Sequence, residues 1–290
     1  MDAQLSPLPP APPSLLALAF RRPRLVLGVL LAVAILLMAT LAPVLAPHDP
    51  LQPLPGVRVG LPAEPGRGHL LGTDAQGRDV LSRLIFGARI SLTVGLGAMA
   101  LAVCLGVVVG VPAGYFGGWI DGALMRLTDV VMAFPAVLLA LATAAVVPQR
   151  SVLTLLLVIG FVNWGGAARL FRSETLSLRE RLYVDAARSM GASNGRILLR
   201  HVLPHLAPTI LVVGSLGAAA TILLDAGLSF LGLGVPPPAP TWGLMLQDAQ
   251  QYYSIAPWLA FWPGLAVVLT VAAFNLIAFD LRQSLGGKDA

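Results

Sequence analysis

Few side chains in this sequence could do chemistry, and they lie far apart. His201 and His205 are four residues apart, a spacing that places two imidazoles on one helix face and could suit zinc. A structural zinc ion needs more ligands, and no third candidate is evident, so we expect no metal site. Asp225 is the only acidic residue well inside an apolar stretch. Because a carboxylate in hydrocarbon is costly, we expect it either to line a path that attracts a cation or to end a helix near Gly227 and Ser229.

Nucleotide chemistry has little support. The one lysine, Lys288, follows Gly286-Gly287, as the lysine of a phosphate-binding P-loop would. A P-loop continues with Ser or Thr to coordinate magnesium, but Asp289 occupies that position. We therefore expect no ATP hydrolysis and no cofactor in this chain. The single cysteine, Cys104, lies in an apolar stretch and is expected to be a small buried hydrophobe.

The composition predicts a membrane protein. Of 290 residues, 57% are hydrophobic and 11% charged, against about 25% charged residues in an average soluble domain. The apolar residues come in stretches of about 18 to 25, long enough for a helix to cross about 30 Å of hydrocarbon. These stretches predict an all-α polytopic protein with six transmembrane helices, at about 25–47, 89–113, 127–147, 152–170, 206–233 and 257–279.

The basic residues predict the orientation of these spans. Six crossings place both termini on one side, and most arginines fall on that side if the cluster after the fourth span is cytoplasmic. The preference of arginine and lysine for cytoplasmic segments therefore predicts that both termini are cytoplasmic. Residues 1–20 are expected to be a disordered tail, and 283–290 a second tail. The net charge of +5 is attributed to topology, so no nucleic-acid partner is expected.

Glycine and aromatic residues bear on how the spans pack. Gly106, Gly110 and Gly114 repeat every four residues and would share one helix face, where another backbone could approach closely. The general abundance of glycine in membrane helices would explain them equally well.

Aromatic rings near the last span are expected to form a belt at the membrane surface. They are Trp242, Tyr252, Tyr253, Trp258 and Trp262.

The segment 171–205 is polar and arginine-rich although it lies between two spans. The capping-box spacing of Ser177 and Glu180 predicts that a helix begins there, and Gly191 is expected to end it. A second short helix is predicted from near Ser193 towards the next span. The first helix would expose one apolar face, formed by Tyr183, Ala186, Ala187 and Met190. Such a face suits a groove on another protein, although a loop lying on anionic lipid would explain the arginines as well.

This segment resembles the cytoplasmic loop by which permease subunits of ATP-binding-cassette (ABC) importers contact their ATPases. That loop has the pattern Glu-Ala-Ala, three residues, Gly, nine residues, a hydrophobic residue, one residue, Leu-Pro. Asp185-Ala186-Ala187, Gly191 and Leu203-Pro204 keep this spacing here. Asp185 replaces the glutamate and retains its charge, while His201 replaces the hydrophobic residue.

Two further segments, 71–83 and 228–243, resemble signatures of the dipeptide, oligopeptide and nickel permeases, and the combination is similar to their C-type subunit. The resemblance implies an ABC type-1 transmembrane domain at 88–282, with a coupling loop at 171–205, after a first helix and external loop at 21–87. Tyr183, Asp185, Ala186, Ala187, Gly191, Leu203 and Pro204 would contact the ATPase.

The family also implies partners: a second homologous permease, two ATPase subunits that bind ATP–Mg, an external substrate-binding protein and the lipid of a bacterial inner membrane. This subunit would form half of a translocation path for di- or oligopeptides and would not be an enzyme. Nickel or another small solute is the alternative substrate. Two other classes remain open, a secondary transporter and a membrane scaffold. A secondary transporter would be expected to carry ion-coupling groups in both halves, yet Asp225 and Asn275 have no matching group in the first half.

Overall fold

The computed structural model describes residues 22–146 and 150–286, and within them every regular element is a helix. The helices in chain order are α1 (Pro23–Thr40), α2 (Ala42–Leu45), α3 (Val80–Phe116), α4 (Gly118–Met132), α5 (Ala136–Val146), α6 (Val152–Arg179), α7 (Leu182–Ser189), α8 (Asn194–Ile197), α9 (Leu203–Phe230), α10 (Trp242–Ala249) and α11 (Trp258–Gly286). The tail predicted at 1–20 lies outside the described residues. The tail predicted at 283–290 begins inside α11.

Five helices are long and apolar enough to cross a membrane: α1, α3, α6, α11 and the continuous helix that contains α8 and α9. Helices α4 and α5 meet at a bend of 75° and provide a sixth crossing if the pair is one span. Pro135 lies at the break, where its missing N–H and fixed ring prevent α4 from continuing. The prediction of an all-α multi-pass membrane protein is confirmed, but the third span is broken rather than straight.

Helices α3 and α6 pack with their backbones in close contact along the glycines at 106, 110 and 114. A Cβ atom built on Gly110 would lie 2.2 Å from the carbonyl oxygen of Ala168, and one on Gly114 would lie 2.6 Å from the carbonyl oxygen of Arg172. Neither position has room for a side chain, so the predicted close approach of two backbones is confirmed.

Two ion pairs join α4 to α6. Arg172 donates two hydrogen bonds to the carboxylate of Asp121, of which the Nη2–Oδ2 bond measures 2.5 Å. Arg169, one turn before Arg172 in α6, lies with its Nη2 2.7 Å from Asp129 Oδ1. The two-point contact of the planar Arg172 guanidinium group with its carboxylate fixes the orientation of α4 as well as its distance.

The loop between α2 and α3, residues 46–79, which the sequence predicts to be external, is held to α3 by buried charges. Asp79 caps α3 by accepting hydrogen bonds from the backbone N–H and the hydroxyl of Ser82, at 2.8 and 2.6 Å. Asp74 Oδ2 lies 2.7 Å from Arg78 Nε and 3.2 Å from Arg83 Nε, and Arg83 is only 1% exposed. These bonds stabilise polar turns of α3 that hydrophobicity alone does not predict, so the helix begins at Val80 rather than near 89.

Two side chains lie elsewhere than predicted. Trp242 is fully buried, and its Nε1 donates a hydrogen bond to the carbonyl oxygen of Leu84 at 3.0 Å. Its assignment to a surface belt was therefore wrong, because the ring fills the core between α3 and α10. Cys104 is exposed on α3, so its prediction as a buried hydrophobe was also wrong.

Candidate functional site

The segment predicted as a coupling loop, residues 171–205, begins later than the sequence predicts. Helix α6 continues through Ser177 to Arg179, and Glu180 is its C-cap. The prediction of a new helix at Ser177 was therefore wrong. The reason lies in packing: Phe171 and Thr175 are buried on the face that α6 presents to its neighbours, so burial continues the helix past the polar residues.

Gly191 ends α7 as predicted. Its φ is +80°, a conformation that costs residues with a Cβ atom about 1–2 kcal/mol. Its N–H donates to the carbonyl of Arg188 at 3.0 Å, and the N–H of Ala192 donates to the carbonyl of Ala187 at 3.0 Å. This pair of bonds is the Schellman motif, which satisfies the last carbonyl groups of a helix.

Helix α7 has an inner and an outer face. Val184 and Ala187 are buried in a cluster with residues of α3, α6 and α9. The outer face carries Leu182, which is 87% exposed, Met190, which is 81% exposed, and Ala186, which is exposed as well. Ala187 therefore does not lie on the exposed face, where the sequence placed it. The positions of Leu182 on the outside and Val184 on the inside were not predicted, because both faces of α7 contain apolar residues.

The charged residues of α7 face outward. Asp185 Oδ1 accepts a hydrogen bond from Arg188 Nη1 at 3.0 Å, and about half of each side chain is exposed, 56% and 53%. An exposed pair of this kind contributes at most about 1 kcal/mol to folding. Both charges are therefore accessible to another molecule at little cost in stability.

A ring stack joins α7 to the start of α9. The Tyr183 ring lies on the His205 imidazole, with 4.9 Å between centroids and 18° between planes. His205 Nδ1 is 2.6 Å from the carbonyl oxygen of His201, whose own ring centroid lies 6.4 Å from that of Tyr183. The two histidines thus pack against α7, and no group of three metal-ligating side chains is found among the described residues.

Leu203 and Pro204 lie within a continuous helix. A π-helical turn, Leu198–Val202, joins α8 to α9, and the N–H of Leu203 donates to the carbonyl of Leu198. The wider turn accommodates Pro204, which has no N–H to donate. The second short helix, predicted from near Ser193, is therefore continuous with the next span. Leu203 is half-buried and Pro204 exposed.

Asp225 lies inside α9, which continues to Phe230, so the alternative that it ends the helix was wrong. It is buried, and neither carboxylate oxygen has a hydrogen-bond partner in the described part of the chain. Ser229, one turn later, is buried with its hydroxyl likewise unpartnered there. Whether Asp225 lines a path stays a prediction.

A cleft of about 370 Å³ lies between α3, α6 and α9. It is mainly apolar, with Asn163 and Thr221 as its polar side chains. Thr221 Oγ1 lies 2.8 Å from the carbonyl oxygen of Gly95 and 2.9 Å from that of Gly217, so its hydroxyl is hydrogen-bonded to the backbones of α3 and α9.

Comparison with known proteins identifies the family. The model described as "binding-protein-dependent transport system inner membrane component" matches residues 106–285. The dipeptide transport system permease protein DppC of Alkalihalophilus pseudofirmus is 39% identical over 263 residues, covering 91% of this chain and 85% of the relative. The glutathione transport system permease protein GsiD of Pectobacterium atrosepticum is 42% identical over 224 residues, covering 77% and 74%. The chain belongs to the binding-protein-dependent transport system inner membrane components, the permease subunits of ABC importers.

Proposed function

We propose that this chain forms half of the translocation path of an ATP-driven importer for short peptides. The names of its relatives, a dipeptide permease and a glutathione permease, support this substrate class. The single observation that carries the coupling role is the outer face of α7, where Leu182, Ala186 and Met190 are exposed beside accessible charges. An apolar helix face of this kind fits a groove on a soluble partner.

The inner face of α7 provides the mechanical connection. Val184 and Ala187 share one buried cluster with Phe171 of α6 and Leu206 of α9. Tyr183 adds the stack on α9 described above. A cluster of close-packed side chains moves as a unit. Closure of the ATPase dimer on α7 would therefore displace the adjoining ends of α6 and α9.

The remaining arrangement follows the family. The partners are a second homologous permease in a heterodimer, two ATPases that hold ATP–Mg, and an external binding protein. The location is a bacterial inner membrane, with lipid around the spans and both termini cytoplasmic. The cleft between α3, α6 and α9 contributes one wall of the path. Asp225, one turn of α9 beyond Thr221, attracts cationic groups to the path. An Asp225→Asn variant would import substrate more slowly, and a normal rate of uptake would remove this residue from the path.

The coupling role is tested by combining Asp185→Lys with Ala186→Trp, which reverses a charge and adds bulk on the outer face of α7. The complete complex in proteoliposomes should lose ATP-driven peptide uptake more than tenfold, and the ATPases should no longer co-purify. Leu70→Trp is the matched control, because Leu70 is 70% exposed on the external loop. Normal uptake and co-purification in the double variant would refute the coupling role.

Orientation has an independent test, since the chain has one cysteine. In a Cys104→Ala background, a cysteine at position 182 should react with a membrane-impermeant maleimide only in inverted vesicles. A cysteine at position 70 should react only in right-side-out cells. The opposite pattern would reverse the proposed topology.

A further inference from the structure

A polar cavity lies at the end of α9 that is farthest from α7. Its volume is about 430 Å³, within the range of about 300–1,000 Å³ that is common for small-molecule sites. Its walls come from the external loop, the first turns of α3, Arg150 shortly before α6, the last turn of α9, the α9–α10 connection and α10. The side chains that matter below are Asp74, Arg83, Arg150, Ser229 and Asp248.

One side of the cavity has charges that neutralise each other. Asp74 lies within 3.2 Å of the guanidinium groups of both Arg78 and Arg83. Arg83 also donates a hydrogen bond to the carbonyl oxygen of Pro50 at 3.2 Å. Buried charges with several partners hold fixed positions. This wall is therefore a rigid support, and its groups are already occupied.

The other two charges of the cavity are less well matched. Arg150 donates a hydrogen bond to the carbonyl oxygen of Gly232, and no carboxylate of the described residues lies within ion-pair distance of it. Asp248 Oδ2 lies 4.0 Å from Arg78 Nη2, and 40% of its side chain is exposed. Burial raises the pKa of Asp248, although the charges of Arg83 and Arg78 oppose this effect and Asp74 adds to it. The cavity thus contains a cation without a carboxylate partner among the described residues and an anion whose nearest cationic nitrogen is 4.0 Å away.

Ser229 provides a neutral polar group in the wall of the same cavity. It lines the cavity, is 1% exposed and has a hydroxyl without a hydrogen-bond partner among the described residues. A Cβ atom on Gly234 would lie 2.2 Å from that hydroxyl oxygen, so the backbone holds the group in a narrow place. A buried hydroxyl without a partner costs about 1–3 kcal/mol, which a hydrogen bond to a ligand would recover.

We propose that this cavity binds a short zwitterionic peptide, with its carboxylate at Arg150, its ammonium group at Asp248 and a backbone group at the Ser229 hydroxyl. The inference rests on the proposed function, because it assumes that peptides reach this face of the membrane. It adds that the permease itself recognises both charged ends of the peptide, before the peptide enters the membrane.

The test is competition binding to the assembled permease–ATPase complex in nanodiscs, without the external binding protein. The probe is radiolabelled dialanine, and the competitors are dialanine, N-acetyl-dialanine and dialanine amide. In the natural complex, each capped competitor should bind at least about tenfold more weakly than dialanine, because each lacks one charge-assisted contact. Arg150→Gln should abolish only the discrimination against the amide, and Asp248→Asn only that against the acetylated peptide. Arg58→Gln, an exposed arginine of the external loop, should change neither.

Two results would overturn the inference: equal competition by all three peptides in the natural complex, or unchanged discrimination in both cavity variants. A third result would also overturn it: the unmodified complex binds no dialanine, and the cavity variants no longer bind the external binding protein. The cavity would then be a contact surface for that protein. ATP-driven uptake of dialanine by the complete complex separates the two proposals. Uptake without binding at the cavity contradicts this inference alone, whereas absence of any peptide uptake contradicts the proposed function as well.

Discussion

The contact between α3 and α6 gives a prediction whose size follows from the structure. A Cβ atom on Gly110 would lie 2.2 Å from the Ala168 carbonyl oxygen, and ordinary contact begins near 3.4 Å. Gly110→Ala therefore requires the two backbones to separate by roughly 1.2 Å, the difference between these distances. Overpacking of this kind costs about 1–3 kcal/mol. The helix propensity of alanine offers little compensation, because a span unfolded within the membrane is still helical.

Equilibrium unfolding in mixed micelles, followed by tryptophan fluorescence, measures this cost. Gly110→Ala should lower the free energy of unfolding by about 1–3 kcal/mol. Gly214→Ala is the matched control in α9, because a Cβ atom there meets no atom within 4 Å. Its unfolding free energy should stay within about 0.5 kcal/mol of that of the unmodified protein.

Second-site variants distinguish a backbone contact from a side-chain contact. A Cβ atom on Gly106 would lie 2.8 Å from the Ala167 Cβ, so Ala167→Gly should partly restore the stability of Gly106→Ala. Ala168→Gly should not restore Gly110→Ala, because the obstructing atom there is a carbonyl oxygen that every residue has. Full stability of Gly110→Ala, or its rescue by Ala168→Gly, would refute the proposed packing.

Three further predictions concern charges and rings. Asp121→Asn removes the two-point ion pair with Arg172 and should lower the free energy of unfolding by about 1–3 kcal/mol. Arg172→Lys should retain part of the stability that the ion pair provides. A free energy of unfolding for Asp121→Asn equal to that of the unmodified protein would contradict this prediction. His205→Ala removes the stack on Tyr183 and should slow peptide uptake while ATPase co-purification is unchanged, and His205→Phe should restore uptake if stacking is what matters. Because burial raises the pKa of Asp248, dialanine binding should weaken on acidification at a pH above the ordinary aspartate range, and a pH-independent affinity would exclude its role.

The spans were predictable because hydrophobic length is a local property of the sequence. Their ends were not, since they depend on contacts between distant segments. Helix α3 begins at Val80 because Asp79 caps it and Asp74 neutralises buried Arg83. The third span breaks near Pro135, which an average over an apolar stretch does not reveal.

The segment between α6 and α9 was predictable where one residue determines the local geometry. Gly191 has the positive φ expected from its position after a helix. The orientation of α7 was harder to predict. Val184 and Ala187 are apolar like Leu182 and Ala186, and only their contacts with other helices decide which pair is buried. The stack of Tyr183 on His205 joins two helices and therefore has no signal in either helix alone.

Helix α9 connects the two sites. His205 near its start stacks on α7, and Ser229 near its end lines the polar cavity. The 24 steps along the helix from His205 to Ser229 span roughly 36 Å. A displacement of α7 would reach the cavity only if α9 moves as a rigid rod. Pro208 lies inside α9 and has no N–H to donate, so the helix can bend there. Pro208→Ala should therefore strengthen the connection between ATPase closure and affinity for dialanine. If ATP changes dialanine affinity equally in both forms, α9 does not carry the motion between the sites.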